Sequence, residues 1–600
     1  MFVFRKHLGK LPRLRRTSTR EPHSFRPQVE ELESRQLLST YYVATTGNDA
    51  NPGTVAKPFK TIQHGLDVAS KAGDTVEVRG GSYNERLTFQ HSGSAAGGYI
   101  TLENYPGEHV LLSGKGANDD DIGYGENMVQ ILNKSYVKLL GFEIAYDNGI
   151  AVQDEAHGVL VQGYGSNVQI RNNVIHDITG SVSLGVGGSG IQVYGTSRTT
   201  PYTNVILDGN TIYNCQPGDS ETETLTVNGN VSNFQITYNL IHNNNNIGID
   251  MIGGEADVFG LPSGTLGLPV ARNGLCSHNI VYNIHANYGG GFAGGIYVDG
   301  GKDITVTDNL SYQNDMGLEI GAENHGYVAS GITVSDNLLY NNYQGGLVFG
   351  GYDSTRGRVE NCRFINNTVY NSDRSNTGQG ALMINYASNN LVANNIFVAS
   401  ANNALINSPY AKSNVSNTLD YNLYYAPGGV TKGQFTWNGQ PDGSFYTFSQ
   451  YRNATKEDAH SLFGNPQFVN AAAANFHLTA SGPAIDAGGS KEGWYAPVDF
   501  AGTTRDLPPE IGAYEREAKS SDGSHLVYQS LGANSAQNPA FGSSPQSWQP
   551  LDVFLMAEAL LATDALSWCW HTLDAFLMAE WPLPTDALFL FTGLENVWSL

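Results

Sequence analysis

The chain has 600 residues, room for about four ordinary domains at ~150 residues each, yet 70 Gly, 32 Tyr and only 15% charged residues suit short strands and tight turns rather than helical bundles. A net charge of −23 argues against duplex nucleic acid as a partner, because that requires a positive footprint against the phosphates. Four widely spaced cysteines, Cys215, Cys276, Cys362 and Cys569, rule out a disulfide framework and a paired-cysteine zinc site.

Residues 1–40 form a basic leader, with eight Arg or Lys against one acid before residue 27. No run of 18 apolar residues spans a bilayer anywhere in the chain. The segment from Arg26-Pro27 through Glu31-Leu32-Glu33-Ser34-Arg35 to Leu37-Leu38 resembles the LEPR-XLL N-terminal motif of planctomycete-type secreted proteins, with Ser34 in place of the usual Pro. That resemblance implies export to the cell surface or beyond.

After Tyr41-Tyr42-Val43, apolar residues at Phe59, Ile62, Leu66 and Ala69 predict an amphipathic helix over 58–72. It is placed to cover the first coil of a solenoid, whose bare sheet edge would otherwise invite aggregation. The first strands follow at 74–83 and 100–102.

From residue 173 onward one pattern recurs. Asn173, Asn210, Asn239, Asn279, Asn309, Asn337, Asn367, Asn395 and Asn422 stand 37, 29, 40, 30, 28, 30, 28 and 27 residues apart. Three residues before each stands an apolar residue or cysteine, from Ile170 to Leu419, and three after most of them a His or Tyr. Period-2 alternation around the apolar positions gives each strand one inward face. Repeats of this length predict a parallel solenoid in which each coil buries its inner face against its neighbours. In such a stack the Asn column becomes a ladder that satisfies backbone groups, and the His/Tyr column is structural as well. Cys276 and Cys362 fall on inward positions.

The stretches Gly47-Asn48-Asp49, Lys57-Pro58-Phe59-Lys60-Thr61-Ile62-Gln63, Gly73-Asp74-Thr75-Val76 and Arg79-Gly80-Gly81-Ser82-Tyr83 resemble secreted right-handed parallel β-helix proteins of the pectate-lyase-like superfamily. These include β-helical glycosidases and, as a weaker likeness here, family 9 polysaccharide lyases. The fold class is therefore all-β, a right-handed parallel β-helix with an N-terminal capping helix. The domain reading is leader 1–40, β-helix 41–430, C-terminal end module 431–515 and tail 516–600. The end module is read from Gly482-Pro483-Ala484-Ile485-Asp486, Asp499, Arg505 and Glu510 to Glu515, and as a boundary without chemistry.

A second strand column aligns Gln192, Asp250, Tyr297, Glu319, Val348 and Met383, with Asp299 two residues beyond Tyr297. Ile or Leu before each points inward, so these side chains are expected to face outward, where long loops rim a groove. Neighbouring coils at ~4.8 Å and residues two apart at ~6.6 Å put Asp299 and Glu319 within reach of either glycosidase geometry. The pair resembles the acids of β-helical β-xylosidases. In the retaining version Asp299 is the nucleophile and Glu319 the acid/base. In the inverting version Asp299 is the base for water. Asp250, Tyr297, Gln192, Tyr194 and His325 are expected to bind substrate.

The leading expectation is thus a secreted, monomeric glycoside hydrolase acting on a polysaccharide without a cofactor. One alternative is a polysaccharide lyase with Ca2+ at Asp250 and Glu255. Thr224 stands where the lyases resembled carry Lys, and Asn245-Asn246 where acids would help hold the cation. The run Asp119-Asp120-Asp121 reads as a loop, with Ca2+ binding as its lesser alternative. The other alternative is a glycan-binding or cell-surface protein stacking sugars on Tyr288, Tyr297 and Tyr327. The tail repeats Leu-Asp-x-Phe-Leu-Met-Ala-Glu at 551 and 573 and holds five of the seven Trp, which marks it as a separate module of unassigned role.

Overall fold

The computed structural model describes residues 38–115, 126–147, 156–179, 187–216, 223–286, 292–351 and 353–516. The leader motif up to Leu37, the Asp119-Asp120-Asp121 run, Tyr288 and the tail from 517 onward lie outside the described residues.

Three long parallel sheets of 14, 12 and 13 strands run the length of the described chain, and each strand pairs with the corresponding strand of the next coil. This is the right-handed parallel β-helix. The sequence columns become register partners: Ile170, Leu207, Ile236, Cys276, Val306, Val334, Phe364, Val392 and Leu419 lie opposite one another in successive strands of the first sheet. All are buried in one core that extends from Val43 to Tyr451. Cys215, Cys276 and Cys362 are free thiols in that core, and burial pushes each thiol up to about 12, which leaves them inert.

Asn residues turn the corner between the first and third sheets. In each coil the preceding residue adopts the left-handed conformation, as at Asp308 (φ 56) before Asn309 and Asp336 (φ 54) before Asn337. The next Asn then points inward and bonds both neighbours. Asn309 Nδ2 donates to Cys276 O and to Asn337 Oδ1, both at 3.0 Å, and Asn309 Oδ1 accepts from the backbone N of Asn279 at 2.9 Å and its Nδ2 at 3.0 Å. The same pattern links the nine residues from Asn173 to Asn422. Outside this corner the His/Tyr column stacks as a ladder, His176, Tyr213, His242, Tyr282, Tyr312 and Tyr340, with ring centroids 4.7 to 5.2 Å apart. Tyr312→Leu keeps most of the apolar area but loses stacking on both sides. We expect it to cost about 1–2 kcal/mol in denaturant melts.

Both ends of the core are covered. The N-terminal helix is Ile62–Val68, shorter than the 58–72 window because Thr61 caps it and the chain leaves helical geometry at Ala69. Phe59, Ile62, Leu66 and Ala69 are all buried as the spacing predicts. At the far end the helix Phe448–Thr455 lays Phe448 and Tyr451 on the last coil, with Tyr451 stacked 5.0 Å from Phe435. Beyond it, residues 464–515 return along the outside of the third sheet. Phe476, Phe500 and Tyr514 pack on Leu338 and Tyr340, and the buried Arg505 guanidinium reaches Asp336 at 2.6 Å and Glu515 at 3.1 Å. No helix among the described residues is long and apolar enough to cross a membrane.

Candidate active site

Four consecutive strands of the second sheet carry the acids: Glu223–Gly229, Ile247–Ile252, Gly294–Asp299 and Met316–Gly321. Their apolar positions, Leu225, Ile249, Ile296 and Leu318, are register partners that point into the core. The next residues, Thr226, Asp250, Tyr297 and Glu319, therefore share the opposite face in the order the column predicts. Asp299 lies opposite Gly321, two positions beyond Glu319 on the adjacent coil.

That face is not an open groove at these positions, which corrects the expectation of solvent-facing side chains. Gln192 (1% exposed), Asp250 (2%), Tyr297 (4%) and Asp299 (5%) are buried, and Glu319 alone of the predicted catalytic pair is partly exposed. Tyr327, at 7%, is buried too, its hydroxyl donating to Thr265 O at 2.9 Å and accepting from Leu268 N at 3.1 Å. Neither Tyr297 nor Tyr327 is an exposed sugar platform. Glu255 and Glu323, on the connections 253–273 and 321–327, reach Asn228, Tyr297 and Asp299, and the paths of such connections have no signature in a strand pattern.

The polar contacts order the cluster. Asp299 Oδ1 accepts from Glu323 N at 2.6 Å, and the Tyr297 hydroxyl donates to Glu323 Oε1 at 3.2 Å. Asp250 Oδ1 accepts from its neighbour Met251 N at 2.7 Å. Asn228 Nδ2 donates to a Glu255 carboxylate oxygen, and Gln192 Nε2 to Glu223 O at 2.9 Å. Gln192 Oε1, Thr224 Oγ1 and Asn228 Oδ1 are buried with no hydrogen-bond partner among the described residues, acceptors suited to the hydroxyls of a sugar or to water. Tyr194 faces His157 edge-on at 6.4 Å, and His325 stands exposed on the turn after Gly321.

Burial and like charge dominate the electrostatics. Burial pushes the Asp250 carboxyl well above the usual carboxylate range, and Glu223, Asp299 and Glu323 push it further. Asp299 is raised by burial and then by Glu323, with smaller contributions from Glu255 and Glu319, against the lowering effect of the Glu323 N–H. The Tyr297 phenol is raised by burial and the same acids. The face thus sets carboxyls whose pKa burial raises beside other acids, an arrangement suited to proton-transfer chemistry.

Glu223 and Glu323 are members of this cluster that strand alignment misses. Glu223 precedes the outward column of its strand, and Glu323 lies two residues past the end of its own. The available signal was the Glu319-x-x-x-Glu323 spacing after an aligned strand.

A lyase-type cation would have to be held by Asp250 and Glu255. Among the described residues, this face brings no three carboxylate or imidazole ligand atoms within 4.8 Å of one another. One Asp250 oxygen is already turned onto the backbone, and Thr224 is fully buried where a base would stand.

The model of the family described as Pel9A-like, right handed beta helix region, matches residues 41–350. The uncharacterized protein YwoF of Bacillus subtilis (strain 168) is 35% identical over 453 residues, which is 74% of this chain and 91% of that protein. Pectate lyase PEL9 of Emericella nidulans is 37% identical over 81 residues, 13% of this chain and 19% of the lyase. Among solved structures, pectate lyase Pel9A covers 80% of this chain and 96% of its own at 13% identity and a TM-score of 0.42. A lacto-N-biosidase of Eubacterium ramulus covers 65% and 64% at 17% identity and the same TM-score.

Proposed function

The chain belongs to the Pel9A-like right-handed β-helix family, and from that membership and its buried acid cluster we propose that it is an exported, monomeric glycoside hydrolase acting on a polysaccharide. The observation that carries the reading is a buried carboxyl, Asp299, pushed well above the usual carboxylate range by burial and Glu323 and set one coil from the partly exposed Glu319. A glycosidase needs this pairing: one acid keeps its proton for the leaving oxygen while a second carboxylate acts on the anomeric carbon or on water.

Burial supports exchanging the roles expected from sequence. Asp299 is the proton donor, and Glu319, with access to solvent, is the nucleophile or the base for water. Asp250, also pushed toward its protonated form, donates a hydrogen bond to a sugar hydroxyl or oxygen. Gln192 Oε1 and Asn228 Oδ1 accept from others. No cofactor is needed. No step through a cation is derived, and Thr224 supplies no base to remove a proton next to a uronate carboxyl.

The test is product chemistry. The purified chain, incubated with neutral and uronic-acid polysaccharides, is expected to release new reducing ends without unsaturated termini. Ultraviolet-absorbing unsaturated ends would replace hydrolysis with lyase chemistry, and tight binding without products would remove catalysis from the account.

A further inference from the structure

We infer that Asp506, Glu510 and Glu515, on the segment that returns along the third sheet, form a binding site for a divalent, oxygen-preferring cation such as Ca2+. Ligand atoms from the three residues all lie within 4.8 Å of one another. A Ca2+ ion bound at ~2.4 Å spans ligands up to about that far apart. All three ligands are carboxylates, the set preferred by hard cations over zinc or copper.

A second observation points to an occupant. Glu510 is only 2% exposed; its carboxyl lies against that of Glu515, and its Oε2 has no hydrogen-bond partner among the described residues. A buried carboxylate oxygen in that state calls for a proton or a metal ion. The nearby guanidinium is already engaged: Arg505 Nη1 bonds Glu515 at 3.1 Å, and Nη2 bonds Asp336 at 2.6 Å and Gly512 O at 3.0 Å. One Arg against Asp336, Asp506, Glu510 and Glu515 leaves 1 − 4 = −3 when all are ionised, and a divalent cation brings this to −1.

The chain is shaped for the purpose. The backbone N–H groups of Asp506 and Glu510 both donate to the Glu515 carboxylate, each at 3.1 Å, which closes residues 506–515 into a loop around the three acids. Asp506 is exposed and leaves an entry path and room for the waters that complete six to eight ligands. Around this loop, Asn366 Nδ2 donates to Glu510 O and Gly512 O, and Thr368 Oγ1 accepts from Ala513 N. A cation here closes residues 506–515 into one loop, which Asn366, Thr368 and Asp336 hold against the β-helix.

The experiment uses the full chain after chelator treatment, titrated with CaCl2 by calorimetry and melted with and without the ion. The expected result is one Ca2+ per chain with Kd of about 10⁻⁴–10⁻³ M, and a Tm raised by about 1–3 °C at ten times Kd. Asp506→Asn, an exposed change that leaves folding intact, should weaken binding by at least about tenfold through loss of one charged ligand. Asp250→Asn, in the candidate active site, should leave binding unchanged. Absence of binding in the wild-type chain would assign the carboxyls a shared proton and overturn the site. Binding that survives Asp506→Asn but is lost in Asp250→Asn would overturn it too, by moving the ion to the second sheet.

Discussion

Asp299→Asn is expected to lower kcat by about 10²–10⁴-fold while the protein becomes more resistant to heat at alkaline pH. The amide cannot donate a proton as a carboxylic acid does, but its oxygen still accepts from Glu323 N. Rate is therefore lost without loss of the local contact. The stability change follows from linkage. The folded-state pKa of Asp299 is raised above its unfolded value, so the wild type holds its full contribution below the unfolded pKa and loses it as pH rises through the folded pKa. The Asn variant has nothing to lose over that window, and melts at pH 4 and pH 8 should differ less for it than for the wild type. Leaving-group chemistry separates the two acids. Aryl glycosides with acidic leaving groups need little protonation, so they should restore much of the rate to Asp299→Asn and none to Glu319→Gln. Equal loss on both kinds of substrate would remove Asp299 from the role of proton donor. Turnover unchanged in both variants would remove the pair from catalysis.

Asn309→Ala is expected to be the most damaging single change in the β-helix, at about 4–6 kcal/mol. Its side chain serves five groups: the backbone and side-chain nitrogens of Asn279, the carbonyls of Cys276 and Thr307, and Asn337 Oδ1. All lie in a dry corner, and a buried polar group left unsatisfied costs ~1–3 kcal/mol. Guanidinium unfolding followed by circular dichroism reads the loss. Because each coil depends on its neighbours, a broken central rung should also split a single transition into two. A loss no larger than that of Tyr312→Leu would show that the asparagines are incidental.

The solenoid was legible because its determinants repeat. An Asn that recurs every 27 to 40 residues with an apolar residue three places earlier specifies strand, corner and register together, and Ile170 through Leu419 fall into register as the spacing requires. The acids were legible in the same sense: Asp250, Tyr297 and Glu319 share one face because alternation settles which side of a strand a residue takes. Their burial was not legible. It depends on non-repeating connections, one of which also hides Glu323. Asp499, Arg505, Glu510 and Glu515 were visible as a motif, but its contacts to Asp336, Asn366 and Thr368 lie 130 to 169 residues away in sequence and break the neighbour-only logic from which a repeat is read.

Those distant contacts also bear on how the molecule forms. A stack in which every rung touches only the next can grow from any point and fray from either end. The returning segment ties coils near 336, 366 and 394 to residues that emerge from the ribosome 95 to 169 positions later. Coils up to that point can zip as they are made, but the final lock waits for the last part of the domain. This order keeps the assembly open to unthreading until synthesis of the β-helix and its returning segment is nearly complete, and then raises the barrier to coming apart again.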